Sequence, residues 1–139
     1  MELGLKDKLI AIGGGAGSIG TVLCDILRSE GAEVIIADKK NGFDLSKPQK
    51  TKLFFNAYLS KLYGYVSLVY GGNGEKGILD SQPSDIAQEL NGTLLAAVYP
   101  IQEAARLMAK NHGGHIVIVS SVNSILGLNE FAYDMAKGA

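Results

Sequence analysis

The sequence predicts an α/β fold, a parallel sheet layered between helices, on three observations. Short runs of aliphatic and β-branched residues recur along the chain, as in Leu9-Ile10-Ala11-Ile12 and Glu33-Val34-Ile35-Ile36-Ala37. Longer segments between them carry apolar residues at helical spacing. A glycine-rich turn, Gly13-Gly14-Gly15-Ala16-Gly17-Ser18-Ile19-Gly20, joins the first strand to the first helix.

The opening unit reads as strand, turn and helix. Its helical stripe is Ile19, Val22, Leu23, Ile26 and Leu27. A bare turn of this kind lets the backbone approach a pyrophosphate, and the helix N-terminus adds unpaired N–H groups and the positive end of a dipole. Gly15 and Gly20 have the spacing of P-loop glycines, but Thr21 and Val22 follow where that motif needs Lys and Ser or Thr. A nucleoside triphosphate is therefore a poor guest, and a glycine turn without ligand is the plain alternative. The second strand, 33–37, ends at Asp38, 18 residues beyond Gly20. A carboxylate there accepts hydrogen bonds from adenosine ribose hydroxyls and repels a 2′-phosphate, which favours NAD over NADP. Lys39 and Lys40 count the other way, since they can pair with a phosphate, and an Asp closing a strand is also ordinary turn chemistry.

Only five residues separate Asp38 from Asp44, too few for a helical crossover between parallel strands. A helix is predicted next, capped by Ser46 and running through Leu53, Phe54, Ala57, Tyr58 and Leu62 to Gly64. Tyr65-Val66-Ser67-Leu68-Val69 then reads as a strand that enters Tyr70-Gly71-Gly72-Asn73-Gly74. Ile86, Leu90, Leu94, Ala97, Val98, Ile101, Ala105 and Met108 share one helical face, which Gly92 and Pro100 weaken or kink. His112 and His115 flank the turn into Gly114-His115-Ile116-Val117-Ile118-Val119-Ser120-Ser121, a further strand. Without more ligands they read as loop residues, not a metal site. Near the end, Tyr133 and Lys137 are four apart, so one helix face carries a phenol and an ammonium that can stabilise its phenolate.

Together these motifs resemble the N-terminal part of a short-chain dehydrogenase/reductase, single-domain branch, over residues 5–139. The resemblance implies a Rossmann-like, doubly wound, three-layer α/β/α domain over residues 1–139, incomplete because the strands after the fifth are missing. It implies a small-molecule alcohol or carbonyl substrate and hydride transfer with NAD. Tyr133 would be the general acid or base, Lys137 would bind the nicotinamide ribose, and Ser121 would hydrogen-bond the reacting oxygen. Gly14, Gly17, Ser18, Ile19, Gly20, Asp38 and Gly71 would line the cofactor, with Asp44 and Leu45 reading adenine. The family's fourth catalytic residue, an asparagine, is best matched by Asn91, while other registers place Glu89 or Thr93 there. Ser121 lies 12 residues before Tyr133, as in the single-domain branch. The glycines at 14, 17 and 20 instead fit the extended branch of nucleotide-sugar epimerases and dehydratases.

The chain departs from the family in three places. Tyr70-Gly71-Gly72 stands where an asparagine pair and an alanine are usual, and a phenol cannot reproduce amide hydrogen bonds. The missing crossover leaves the family's third strand in question. The chain also stops one turn into the helix bearing the catalytic pair, which predicts a truncated product whose last helix frays and whose final strand is an unprotected edge. A non-catalytic remnant that binds nucleotide weakly, or merely folds, is the alternative to an enzyme.

Composition agrees with one domain holding a real core: 139 residues, 47% of them hydrophobic. Thirteen basic against 14 acidic residues suggest neither nucleic acid nor an anionic membrane as partner. The single cysteine, Cys24, cannot form an internal disulfide, and Met1-Glu2-Leu3-Gly4 lacks a basic signal-peptide start, so the cytoplasm is the expected compartment. By resemblance the intact enzyme is a homo-oligomer that needs no metal.

Overall fold

The computed structural model describes residues 3–58, 61–72 and 76–139. Residues Met1 and Glu2 of the N-terminal reading, and Asn73 and Gly74 of the glycine loop, lie outside them. The described elements are β1 (Leu9–Gly13), α1 (Ser18–Ser29), β2 (Glu33–Ala37), a 3-10 turn (Lys39–Asn41), α2 (Pro48–Asn56), β3 (Leu62–Ser67) and α3 (Pro83–Glu89). A π-helical segment (Leu90–Leu95), α4 (Ala96–Lys110), β4 (His115–Ile118), α5 (Asn123–Leu126) and α6 (Phe131–Gly138) complete them.

Four strands form one parallel sheet in the order β2-β1-β3-β4. The order reverses at β1, so the chain winds outward in both directions and a crevice opens at the C-terminal ends of β1 and β3. Alternation along β1 divides the core. Ile10 and Ile12 meet Cys24 and Ala32 on the α1 side. Ala11 faces Phe54, Phe55, Tyr65, Leu107 and Met108 on the side of α2 and α4. The Tyr65 hydroxyl is buried there against Gly13 without a hydrogen bond.

Several boundaries differ from the sequence reading. α2 ends at Asn56, and Leu62, Tyr63 and Gly64 belong to β3, where Gly64 pairs with Ile10 and His115. Ser46 does not cap α2, because its hydroxyl turns back to donate to Asp44 Oδ1 at 2.7 Å while Lys47 takes the cap position ahead of Pro48. Residues 39–47 form a 3-10 turn and a loop, so β2 is an outer strand of the sheet and no third family strand lies beside it among the described residues. His115 opens β4 instead of lying in the preceding loop, and its ring packs 5.0 Å from that of Tyr63.

On α1 only part of the predicted stripe faces the sheet. Gly20 and Cys24 are buried and Leu23 and Leu27 pack beside them, whereas Ile19, Val22 and Ile26 are 67%, 60% and 51% exposed. Gly20 sets this phase: a Cβ there would stand 2.6 Å from Gly15 Cα, so α1 reaches the glycine turn only along its bare side. The kink predicted near Gly92 is the π-helical segment, and Pro100 is accommodated inside α4. β4 is an outer strand, with Val117 and Ile118 52% and 59% exposed. The last helix, α6, forms over Phe131–Gly138, and Lys137 bonds it to the carbonyls of Val69 and Val119.

Candidate active site

The glycine turn begins where β1 ends. Gly14 takes φ +76°, and a Cβ on it would press 2.9 Å from the Leu68 carbonyl oxygen. Only glycine combines that left-handed backbone with so close a neighbour. Gly17 is the N-cap of α1 and offers no side chain to the first helical N–H groups. Gly17, Ser18 and Ile19 are exposed at the start of α1, where the first helical N–H groups lack acceptors within the helix, as at a site for an anionic group.

Asp38 ties this turn to the end of β2. Its Oδ2 accepts from Ala16 N–H at 3.2 Å and its Oδ1 from Lys40 N–H at 3.0 Å, while Lys40 Nζ donates to the Ala16 carbonyl at 3.0 Å. Asp44 accepts from both the amide and the hydroxyl of Ser46. Burial pushes the Asp44 carboxyl up, but those two bonds, aided by Lys39 and Lys47, outweigh it and hold the group below its ordinary value. Asp38, Asp44, Leu45 and Gly14 meet around one cavity of about 80 Å3, closed by Tyr70 and Gly92. The structure thus brings together the residues expected to hold the adenosine end. A wider cavity of about 720 Å3, lined by Lys8, Glu33, Lys61 and Asn111, opens at the opposite end of the strands, away from this chemistry.

α6 presents Tyr133 and Lys137 at the same edge as the glycine turn. Lys137 Nζ donates to the carbonyls of Val69 at 3.2 Å and Val119 at 3.1 Å, just past the ends of β3 and β4. It lies 5.9 Å from the centre of the Tyr133 ring. Burial draws the Lys137 ammonium below its ordinary pKa, and the Glu89 carboxylate opposes that shift. Tyr133 is half-buried, with Tyr70 packed edge-on against it. Ser121 Oγ exchanges 3.2 Å bonds with Asn123, donating to Oδ1 and accepting from the backbone N–H.

Asn91 is half-buried on the π-helical segment. The polar groups buried against Gly71 are those of the two other registers, Glu89 and Thr93. Gly71 N–H donates to Thr93 Oγ1 at 2.6 Å, and Thr93 Oγ1 donates in turn to Glu89 Oε1. A Cβ on Gly92 would stand 2.7 Å from Gly71 Cα. The bareness of Gly71 therefore serves this contact as well as the crevice. Asn123 carried no signal in the sequence reading, yet its amide donates to Glu130 at 2.9 Å and Asp134 at 3.0 Å, joining the Ser121 turn to α6. An Asn two residues after a Ser is the spacing of a local side-chain turn, the one cue available.

Residues 40–139 match the family described as short chain dehydrogenase. Tropinone reductase-like 2 of Erythroxylum coca is 28% identical over 159 aligned positions, covering 96% of this chain and 57% of its own length. L-rhamnose-1-dehydrogenase of Scheffersomyces stipitis is 26% identical, covering 88% of this chain and 58% of its own. The chain thus spans a little over half the length of these relatives. Among solved structures, a small-chain dehydrogenase in complex with NADPH superposes at TM-score 0.87 with 19% identity, over 96% of this chain and 60% of that one. NAD+-bound xylitol dehydrogenase superposes at 0.88 with 20% identity, over 97% and 61%. At these identities the structures speak for the fold. Among the described residues no helix is long and apolar enough to cross a membrane. The chain belongs to the short chain dehydrogenase family.

Proposed function

We propose that residues 1–139 carry the cofactor site and catalytic pair of an NAD-dependent oxidoreductase acting on a small alcohol or carbonyl compound. The observation that carries this reading is the seat of Lys137: its ammonium bridges the ends of β3 and β4 beside Tyr133, at the same edge as the glycine turn. An ammonium has three donors, and two carbonyls leave a third for a ribose hydroxyl.

Residues suited to hold a dinucleotide stand at three points along this edge. The N–H groups at Ser18 and Ile19 would take the pyrophosphate, the cavity between Asp38, Asp44 and Leu45 the adenosine, and Lys137 the nicotinamide ribose. When bound, a nicotinamide supplies the hydride acceptor or donor. Tyr133 then handles the proton, its hydroxyl giving one to a carbonyl oxygen in reduction or its phenolate taking one from an alcohol in oxidation. Ser121 would turn from its long bonds with Asn123 to hold the reacting oxygen. Asp38 supports NAD over NADP, because a 2′-phosphate would meet its carboxylate.

Calorimetric titration with NADH and NADPH tests the reading. The chain is expected to bind NADH more tightly than NADPH, and Asp38→Ala to erase that preference. Absence of binding to both, by a protein that still unfolds cooperatively, would sink it.

A further inference from the structure

Glu89 is a carboxylate with no exposed surface, and the mechanism above gives it no task. A charge that far from water requires hydrogen bonds and an opposite charge to compensate its lost hydration. The hydrogen bonds form a series, from Gly71 N–H to Thr93 Oγ1 and from Thr93 Oγ1 to Glu89 Oε1. The absent side chain of Gly71 makes room for them, since a Cβ there would lie 3.0 Å from both carboxylate oxygens.

The candidate for that charge is Lys137 on α6. Lys137 Nζ is bonded to Val69, two residues before Gly71, and lines with Thr93 one cavity of about 150 Å3. α6 packs against both the π-helical segment and α3, the helix that ends at Glu89. The remaining ionisable groups on these elements are Tyr133 and Asp134 on α6, Tyr70 on the loop after β3, Glu130 and the Ala139 α-carboxylate at the two caps of α6, the latter lining the same cavity as Lys137, and Asp85 on α3. Asp85 is bonded to Lys76, and Asp134 and Glu130 both accept from Asn123. β4 brings only His115, at its far end, and α5 brings none.

We propose that Glu89 is the buried counter-charge of Lys137, a positioning residue that keeps the ammonium charged and seated between the Val69 and Val119 carbonyls. Its consequence for catalysis rests on Lys137 being the ribose-binding group; the charge coupling itself does not.

Competitive acetylation of the purified 139-residue chain with trace acetic anhydride, from about pH 7 to about pH 11, reads the Lys137 amine directly by mass spectrometry. Glu89→Gln is expected to lower the Lys137 labelling midpoint by about one pH unit or more, and Glu89→Asp to keep it close to wild type. An unmoved midpoint in a cooperatively folded Glu89→Gln protein overturns the proposal. Should that variant not fold, the reciprocal measurement decides: the carbon-13 titration of the Glu89 carboxyl in wild type and Lys137→Met. A rise of about one unit in the second supports the pair, and an unchanged curve overturns it. Failure to bind NADH with the coupling intact would remove the ribose reading and leave the charge pair standing.

Discussion

The rings of Tyr70 and Tyr133 meet edge to face, their centroids 5.2 Å apart and their planes at 78°. The residue that stands where the family's usual asparagine is expected thus braces the tyrosine proposed as the acid–base group. Edge-to-face pairs contribute about 1 kcal/mol beyond their buried area. Tyr70→Ala should lower the unfolding free energy in urea by about that amount, and Tyr70→Phe by less, since it keeps the ring contact.

Gly20→Ala should be the more damaging of two glycine substitutions. Its Cβ would enter the backbone of Gly14 and Gly15 at 2.6–2.7 Å, an overpacking that costs about 1–3 kcal/mol and displaces the glycine turn from α1. Gly42→Ala meets nothing within 4 Å and pays only for its φ of +88°, about 1 kcal/mol. Urea denaturation ranks the two, and NADH affinity should fall only for Gly20→Ala.

Asn123→Ala should loosen α6 from the Ser121 turn. Two hydrogen bonds to carboxylates disappear, each of the charge-assisted kind worth about 1.5–3 kcal/mol when well formed. Hydrogen exchange should show faster amides in residues 131–138, with those of β1 unchanged.

Acid should remove the contribution of Asp44. Its folded-state pKa lies below the ordinary 3.8, so the stabilisation is fully present above about pH 5 and is lost as pH falls through 3.8 to the folded value. Ser46→Ala removes one of the causes, the hydroxyl bond, and leaves the backbone N–H bond in place. The difference in melting temperature between wild type and Ser46→Ala should therefore be largest near neutrality and vanish at the acid end of a pH series.

Tyr65→Phe should stabilise the chain by about 1 kcal/mol, because the deleted hydroxyl is buried without a hydrogen bond. A loss of similar size would mean that Ser67, the polar side chain beside it, holds that hydroxyl after all.

Much of this arrangement was legible in the residues. β2 has the bounds its aliphatic run predicts, and the strand, glycine turn and helix at the N-terminus follow in order. What escaped depends on tertiary pairing. Leu62 continues the helical spacing of α2, and only its alignment with Leu9 across the sheet makes it strand. Ser46 is a plausible cap by type, yet the carboxylate two residues earlier captures its hydroxyl. The register that left Asn91, Glu89 and Thr93 as alternatives could not be resolved by spacing, because spacing assumes 3.6 residues per turn and this segment is wider. Gly71 and Gly92 carry a related lesson: each looks like a flexible loop or a weak point in a helix, and together they form a close backbone crossing in the site.

That wide turn also absorbs an extra residue between two halves of one long helical run. Removing a single residue from Leu90–Leu95 would convert it to ordinary α-helix and leave the two flanking helices close to their present phase, because a π turn takes one more residue than an α turn to sweep the same angle. Ala104, Leu107 and Met108 would stay on the sheet and Glu89 near Gly71, and the change would fall on the residues of the turn itself. The segment is therefore held to its composition at Gly92 and Thr93, which meet Gly71, more than to its length.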